Sequence, residues 1–209
     1  MKGVLELLRR TTLSGDRSGT PDSMLFSTIF ADHGVEPVPW EARANEVGAR
    51  RLAAPQGIRL LQALWSEDKH MSRLSAEAVQ ALEGFFDFAV VASDRDLIRQ
   101  EEYGNFMVVL LSGAIGVNRT EAGGRQVRLT EAHAGDILGE MSLLDSGIRF
   151  SMCSTLTECE IAVLGARAMD EMMNTQPQLA AALVTLLARK LSMRLRVLDA
   201  RLTERPTEN

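Results

Sequence analysis

The chain has 209 residues, of which 45% are hydrophobic and 24% charged, with a formal net charge of −5 at pH 7. That length and composition suit one globular core with a helical appendage, and suggest neither a disordered nor a membrane-inserted chain. The acidic balance disfavours a phosphate-neutralising nucleic-acid surface, and the cysteines, Cys153 and Cys159, are too few for a four-cysteine zinc or iron–sulfur site within one chain.

In chain order, Val4, Leu5, Leu7 and Leu8 with Arg9 and Arg10 suggest a short amphipathic helix. This run is too short and too charged for a signal peptide, and no stretch of the chain is long enough to span a bilayer. Together with the absence of a disulfide framework, this sets the expected location as cytoplasmic. Residues 14–23 are rich in Gly, Ser, Asp and Pro and read as a loop, so a mobile start is expected. Glu, Ala and Arg dominate residues 41–51 and predict a helix, and Ile58, Leu60, Leu61, Leu64 and Trp65 recur at the spacing of a second helix with one buried face. Residues 1–74 are thus an amino-terminal helical extension. Ser75 is placed to cap a further helix, whose apolar face is Leu82, Phe85 and Phe86.

Beyond Phe88 the texture changes. Short apolar runs (90–91, 97–98, 106–111, 115–117, 127–129, 137–138, 151–156 and 161–164) alternate with turn signals at Gly104, Ser112-Gly113, Gly123-Gly124, Gly135-Asp136 and Ser146-Gly147. That spacing predicts an antiparallel sandwich or roll over residues 75–176. Pro177 then stands at the start of a pattern over residues 178–202 that no Gly or Pro interrupts, a helix of about 25 residues. Leu191, Leu195, Leu198 and Leu202 follow steps of four and three, the spacing of a coiled-coil seam, while Arg189, Lys190, Arg194, Arg196 and Arg201 keep the other faces solvated. The reading is a homodimer through this helix, with packing on the chain's own roll as the competing use of the stripe.

The run from Gly135 to Arg149 carries the chemistry: Gly-Asp-Ile-Leu-Gly-Glu-Met-Ser-Leu-Leu-Asp-Ser-Gly-Ile-Arg. A glycine lets backbone approach a ligand, and a short helical turn at 140–144 would aim free amides at an anion. Arg149 adds a permanent, planar charge suited to phosphate oxygens, and Glu140 an acceptor for a sugar hydroxyl.

These residues resemble the cyclic-nucleotide-binding domains of the bacterial catabolite activator protein, the kinase regulatory subunits and the cyclic-nucleotide-gated channels. Gly139-Glu140-Met141-Ser142-Leu143 is similar to that family's phosphate-binding cassette, and Arg149 follows Glu140 at the kinase-subunit spacing. Leu111-Ser112-Gly113-Ala114-Ile115-Gly116-Val117 resembles its Leu-Ser-Gly strand, Gly135-Asp136 its Pro-Gly-Asp turn with Ala134 in place of Pro, and Ala188-Arg189-Lys190-Leu191 the start of its long carboxy-terminal helix. The resemblance covers residues 75–203. It implies an α+β fold: an antiparallel β-roll (double-stranded jelly roll) flanked by helices, followed by the long helix over residues 177–209, which serves as lid and dimer seam. It further implies cyclic-phosphate binding by the cassette amides of Gly139, Glu140, Met141 and Ser142 and by Arg149, with Glu140 on the ribose 2′-hydroxyl. The implied ligand is cAMP, with cGMP and cyclic di-GMP as alternatives; the output is expected to pass through the amino-terminal helices, the dimer seam or a separate protein effector. A Glu140–Arg149 salt bridge in a roll without ligand is the rival reading.

The chain departs from the family pattern in places. After its arginine the family has small and hydroxyl residues, where this chain has Phe150-Ser151-Met152. Phe150 either walls the base or fills the core. Arg194 lies where the activator has hydroxyls that cap adenine, and stands either as a purine-stacking or second-phosphate group or as a solvated surface charge. Only residues 203–209 follow Leu202, too few for a helix-turn-helix, so direct DNA binding is not expected. His33, His70 and His133 are scattered without carboxylate or cysteine partners, so neither catalytic residues nor a metal site is expected. Gly123-Gly124 belongs to a turn, and His133 as a haem ligand has no further support.

Overall fold

The computed structural model describes residues 26–27, 36–67 and 75–203, so the expected helix near residues 4–10, the loop at 14–23, His33 and His70 lie outside the described residues. Helix α1 (Trp40–Val47) buries Trp40, Arg43 and Val47, the one face that a spacing of three and four residues brings together. The helix predicted over 41–51 stops early. Gly48 takes the left-handed conformation at its end, and Arg50–Arg51 then form a short strand, β1. Helix α2 (Ala54–Glu67) buries Ile58, Leu61 and Trp65. Helix α3 (Ala76–Ala81) is capped by Ser75, whose Oγ accepts from the Ala78 amide at 3.1 Å, and runs into a single tight turn, Leu82–Gly84.

The strands are β2 (Asp87–Val91), β3 (Asp96–Ile98), β4 (Phe106–Ser112), β5 (Ile115–Thr120), β6 (Gln126–Ala132), β7 (Ile137–Leu138), β8 (Met152–Thr155) and β9 (Cys159–Gly165). They form a five-stranded sheet in the order β1-β2-β9-β4-β7 and a four-stranded sheet in the order β3-β8-β5-β6, and all the paired strands are antiparallel. Each expected apolar run falls on one of the strands β2 to β9, although the run at 151–156 overruns β8 by a residue at each end. Between the sheets sits one core, built from Val91, Leu97, Ile115, Val117, Cys153 and Ile161 among others. A second core lies on the outer face of the five-stranded sheet. There Met107, Val109, Leu111, Ala162 and Leu164 meet α2, α3, helix α5 (Ala166–Thr175) and the first half of helix α6 (Pro177–Thr203). β4 feeds both cores, because alternate side chains of a strand point to opposite faces. Phe106, Val108 and Leu110 face the partner sheet, and Met107, Val109 and Leu111 face the helices.

Helix α6 has 27 residues and so extends about 40 Å. Its first half is anchored by Leu179, Ala180, Leu183, Leu186 and Leu187, all buried, whereas residues 192–200 are exposed. Of the proposed seam, Leu191 is half-buried and Leu195 and Leu198 are exposed, while the Leu202 side chain lies outside the described residues. Among the described residues no helix is long and apolar enough to cross a membrane. The buried carboxylate of Asp170 on α5 accepts from the amides of Phe26 and Ser27 at 2.8 and 2.9 Å and from Ser27 Oγ at 2.6 Å.

Candidate functional site

The loop after β7 turns at Gly139, whose φ of 76° lies in the left-handed region, and opens helix α4 (Glu140–Asp145). First-turn amides of a helix have no partner within it, so this turn presents N–H groups at its start. A side chain at Gly139 would also collide with the guanidinium of Arg149: a Cβ there would lie 2.5 Å from Nη1 and 2.9 Å from Ile98 Cδ1. Gly104, across the slot, would place a Cβ 2.5 Å from Arg149 Nε. Two glycines therefore leave the space that one arginine fills.

Arg149 is only 3% exposed. Nη1 donates to the Gly139 carbonyl and Nη2 to the Phe106 carbonyl, each at 2.7 Å, and the guanidinium lies 4.7 Å from the Phe106 ring centroid. Its main chain is clasped as well, with the amide donating to the Glu102 carbonyl at 2.8 Å and the carbonyl accepting from the Glu101 amide at 2.9 Å. Burial pulls its pKa down to about 10, so it remains a cation at neutral pH.

Glu140 is 4% exposed, and burial pushes its carboxyl above the ordinary value of 4.5, opposed chiefly by the charge of Arg194. The expected rival, an ion pair between Glu140 and Arg149, is not what forms. Arg194, reaching down from α6, pairs with Glu140 through Nη1 and donates through Nη2 to the Ile137 carbonyl at 2.7 Å. Arg194 is thus no free surface charge: it ties the long helix to the cassette turn. Lys190, one turn earlier, donates to the Gly135 carbonyl at 3.3 Å.

These groups surround a cavity of 580 Å³, and Gly139, Glu140, Met141, Ser142, Arg149, Phe150, Ser151 and Arg194 all line it. Ser142 is buried, Ser151 partly buried and Met141 47% exposed. Phe150 does not fill the core, the use that was left open for it. It is 52% exposed, and the Arg119 guanidinium lies 3.8 Å from its ring centroid. The rest of the wall is largely apolar and includes Val117, Leu129, Met193, Val197 and Leu198. Sequence reading missed these contributors. Met193, Val197 and Leu198 share with Arg194 the helical spacing of one face, which was the available signal. Cys153 also lines the cavity, but burial pushes its thiol up to about 12, so it is inert as a nucleophile. His133 is exposed on the turn before β7 and lies apart from the cavity lining. Among the described residues no cluster of His, Cys, Asp and Glu could hold a metal ion.

Two antiparallel sheets, a glycine-flanked arginine and a carboxylate under a helix frame this cavity. Residues 90–176 match the family model of the cyclic nucleotide-binding domain. Among curated proteins the chain is 30% identical over 90 residues to the CRP-like cAMP-activated global transcriptional regulator of Mycobacterium tuberculosis, covering 43% of this chain and 40% of that protein. It is 28% identical over 118 residues to the cyclic AMP receptor protein of Thermus thermophilus, covering 56% of this chain and 55% of that one. The chain therefore spans about half the length of the curated relatives it matches. Among solved structures, a cyclic nucleotide-binding domain from Methylobacillus flagellatus shares the fold with a TM-score of 0.67 at 22% identity, over 77% of this chain and 90% of that one. The Thermus thermophilus catabolite activator protein aligns with a TM-score of 0.56 at 26% identity, over 64% of this chain and 62% of that one.

Proposed function

We propose that this chain is a non-enzymatic sensor that binds a cyclic nucleotide, cAMP first among them, and passes its state to a protein partner. The observation that carries the reading is Arg149 itself, a buried cation kept at the wall of a ligand-sized cavity beside the first turn of a short helix. A guanidinium has five N–H donors, and two carbonyl contacts leave three for a phosphate. Glu140 is the acceptor for a ribose hydroxyl, and Phe150 with Val117 and Leu129 supplies apolar wall for the base. The curated relatives named for cAMP support that choice of ligand.

The output follows from the contact between Arg194 and Glu140. A sugar hydroxyl on Glu140 changes the partner set of Arg194, and with it the seating of the exposed half of α6. That half exposes Met193, Leu195, Val197 and Leu198 at 51–59%, apolar surface available to a second copy of the chain or to an effector. No DNA contact is required for this output.

The test is a set of thermal melts of the purified chain with cAMP, cGMP, cyclic di-GMP and linear AMP, repeated with Arg149→Ala. Ligand at one hundred times its Kd adds about 2.7 kcal/mol, a rise of about 5–10 °C at this size. A rise with cAMP that disappears in the variant is the expected result. A rise only with cyclic di-GMP reassigns the ligand, and no rise with any compound replaces the sensor by a scaffold that keeps the fold without the ligand.

A further inference from the structure

Outside the lining of the cavity lies a ring of charges that the cyclic-nucleotide reading does not use. Arg43 of α1 is 1% exposed. Its Nη1 bonds Glu46 Oε2 at 2.6 Å, and its Nη2 bonds Glu102 Oε2. Arg99 pairs with Glu46 and sits 3.7 Å from Glu102 Oε1. Glu102 in turn is joined to the phosphate-facing arginine, since its carbonyl receives the Arg149 amide at 2.8 Å. A second link starts from the same face of α1. Trp40, three residues before Arg43, packs edge-on against Phe106 with centroids 5.7 Å apart, and Phe106 supplies both the ring and the carbonyl on which Arg149 rests.

A carboxylate on the residue that is bonded to the Arg149 main chain is a competitor for any phosphate, because both are anions that match the guanidinium fork. We propose that Arg43 is a positioning residue: by holding the Glu102 carboxylate it keeps Glu102 from capturing Arg149, and so leaves the guanidinium available to the ligand. The arrangement also makes α1, which precedes the binding domain, part of the ligand site. Displacing α1 releases Glu102 toward Arg149 and weakens binding. This rests on the cyclic-nucleotide reading of the cavity.

The pairing predicts a sign that simple structural support does not. Removing Arg43 weakens ligand binding, removing Glu102 does not, and removing both restores it. Calorimetric titration with cAMP of the full chain, Arg43→Met, Glu102→Gln and the double variant measures this, with thermal melts to confirm folding. Arg43→Met is expected to lose about tenfold in affinity, within the range of coupled contact residues. Glu102→Gln and the double variant are expected to stay within about threefold of the parent, the scatter of independent sites. Equal weakening of Arg43→Met and the double variant, or a folded Arg43→Met with unchanged affinity, overturns the proposal while leaving the ligand reading intact. Should Arg43→Met fail to fold, Glu102→Gln decides alone, because its carboxylate is 29% exposed and its loss leaves both cores untouched. A tenfold loss there overturns the competitor role, and undiminished affinity upholds it. A parent chain that binds no cyclic nucleotide at all overturns the reading of the cavity, and this proposal with it.

Discussion

Replacing Arg194 by alanine removes one end of the contact that ties α6 to the cassette. The Glu140 side chain is 5% exposed and that of Arg194 45%. A pair exposed on both sides contributes about 0–1 kcal/mol, whereas breaking a fully buried pair costs about 3–5 kcal/mol. A buried carboxylate with a half-exposed partner lies between, so Arg194→Ala should cost about 2 kcal/mol at neutral pH. For a chain of this length that is about 4–8 °C in Tm. The sign of the pH dependence follows from Glu140, whose folded-state pKa is raised by burial and restrained by Arg194. A carboxyl with a raised folded pKa is held more tightly as the neutral acid in the native state, so it costs stability progressively as pH rises from the unfolded value of 4.5 through the folded one. Without Arg194 the folded pKa climbs further and that loss grows. Near pH ~3, where Glu140 is neutral in both states, only the bond to the Ile137 carbonyl is missing, and the deficit should shrink to about 1 kcal/mol. Thermal melts of parent and variant across this range make the measurement. An equal deficit at both ends, or none at neutral pH, would refute the assignment of Arg194 as the charge that makes a buried Glu140 tolerable.

Phe150→Ala should lower affinity for purine cyclic nucleotides by about 5- to 150-fold, the span of about 1–3 kcal/mol per stacked base, with little change in Tm because the ring is half-exposed. Titration with cAMP checks it, and unchanged affinity removes Phe150 from the site. Gly139→Ala combines an unfavourable φ with a Cβ 2.5 Å from Arg149 Nη1, so it should cost about 2 kcal/mol or more in urea unfolding and abolish the ligand-induced rise in Tm. Asp170→Ala strips the amides of Phe26 and Ser27 of their buried acceptor, at about 2–3 kcal/mol, and should show as faster hydrogen exchange at those amides with the ligand site unaffected.

Most of the roll was legible because its strands are apolar runs separated by glycine turns, and a strand such as β4 is unbroken from Phe106 to Leu111. β1 was not, since Arg50 and Arg51 are both exposed and pair with β2 through backbone alone. Helix α5 was passed over, although Ala166, Met169, Asp170 and Met172 mark its buried side at helical spacing. The cassette residues cluster within a short segment, so local sequence located them. What closes the site is remote. Arg194 meets Glu140 54 residues away, and Arg43 meets Glu102 59 residues away, and no periodicity in either segment indicates such partners. Arg43 in particular reads as a surface charge on an Ala- and Glu-rich helix, and only the packing of α1 beside β3 and β4 explains why it is buried.

The same geometry bears on how such a site can bind an anion with so little polar wall. A free arginine must lose about 2 kcal/mol of side-chain entropy to grip a phosphate. Arg149 has already lost it, because two carbonyls, the Phe106 ring and two glycine-lined walls fix its guanidinium before any ligand arrives. The carbonyls need not be given up, since the fork has donors to spare, so binding leaves no buried acceptor unpaired. Preorganisation of this kind requires the core itself. Phe106 belongs to the strand that divides the two cores and is pressed by Trp40 of α1, so loosening either core loosens the arginine. Ligand affinity and global stability should therefore fall together for substitutions around Phe106, and separately for substitutions at Phe150, which lies outside both cores.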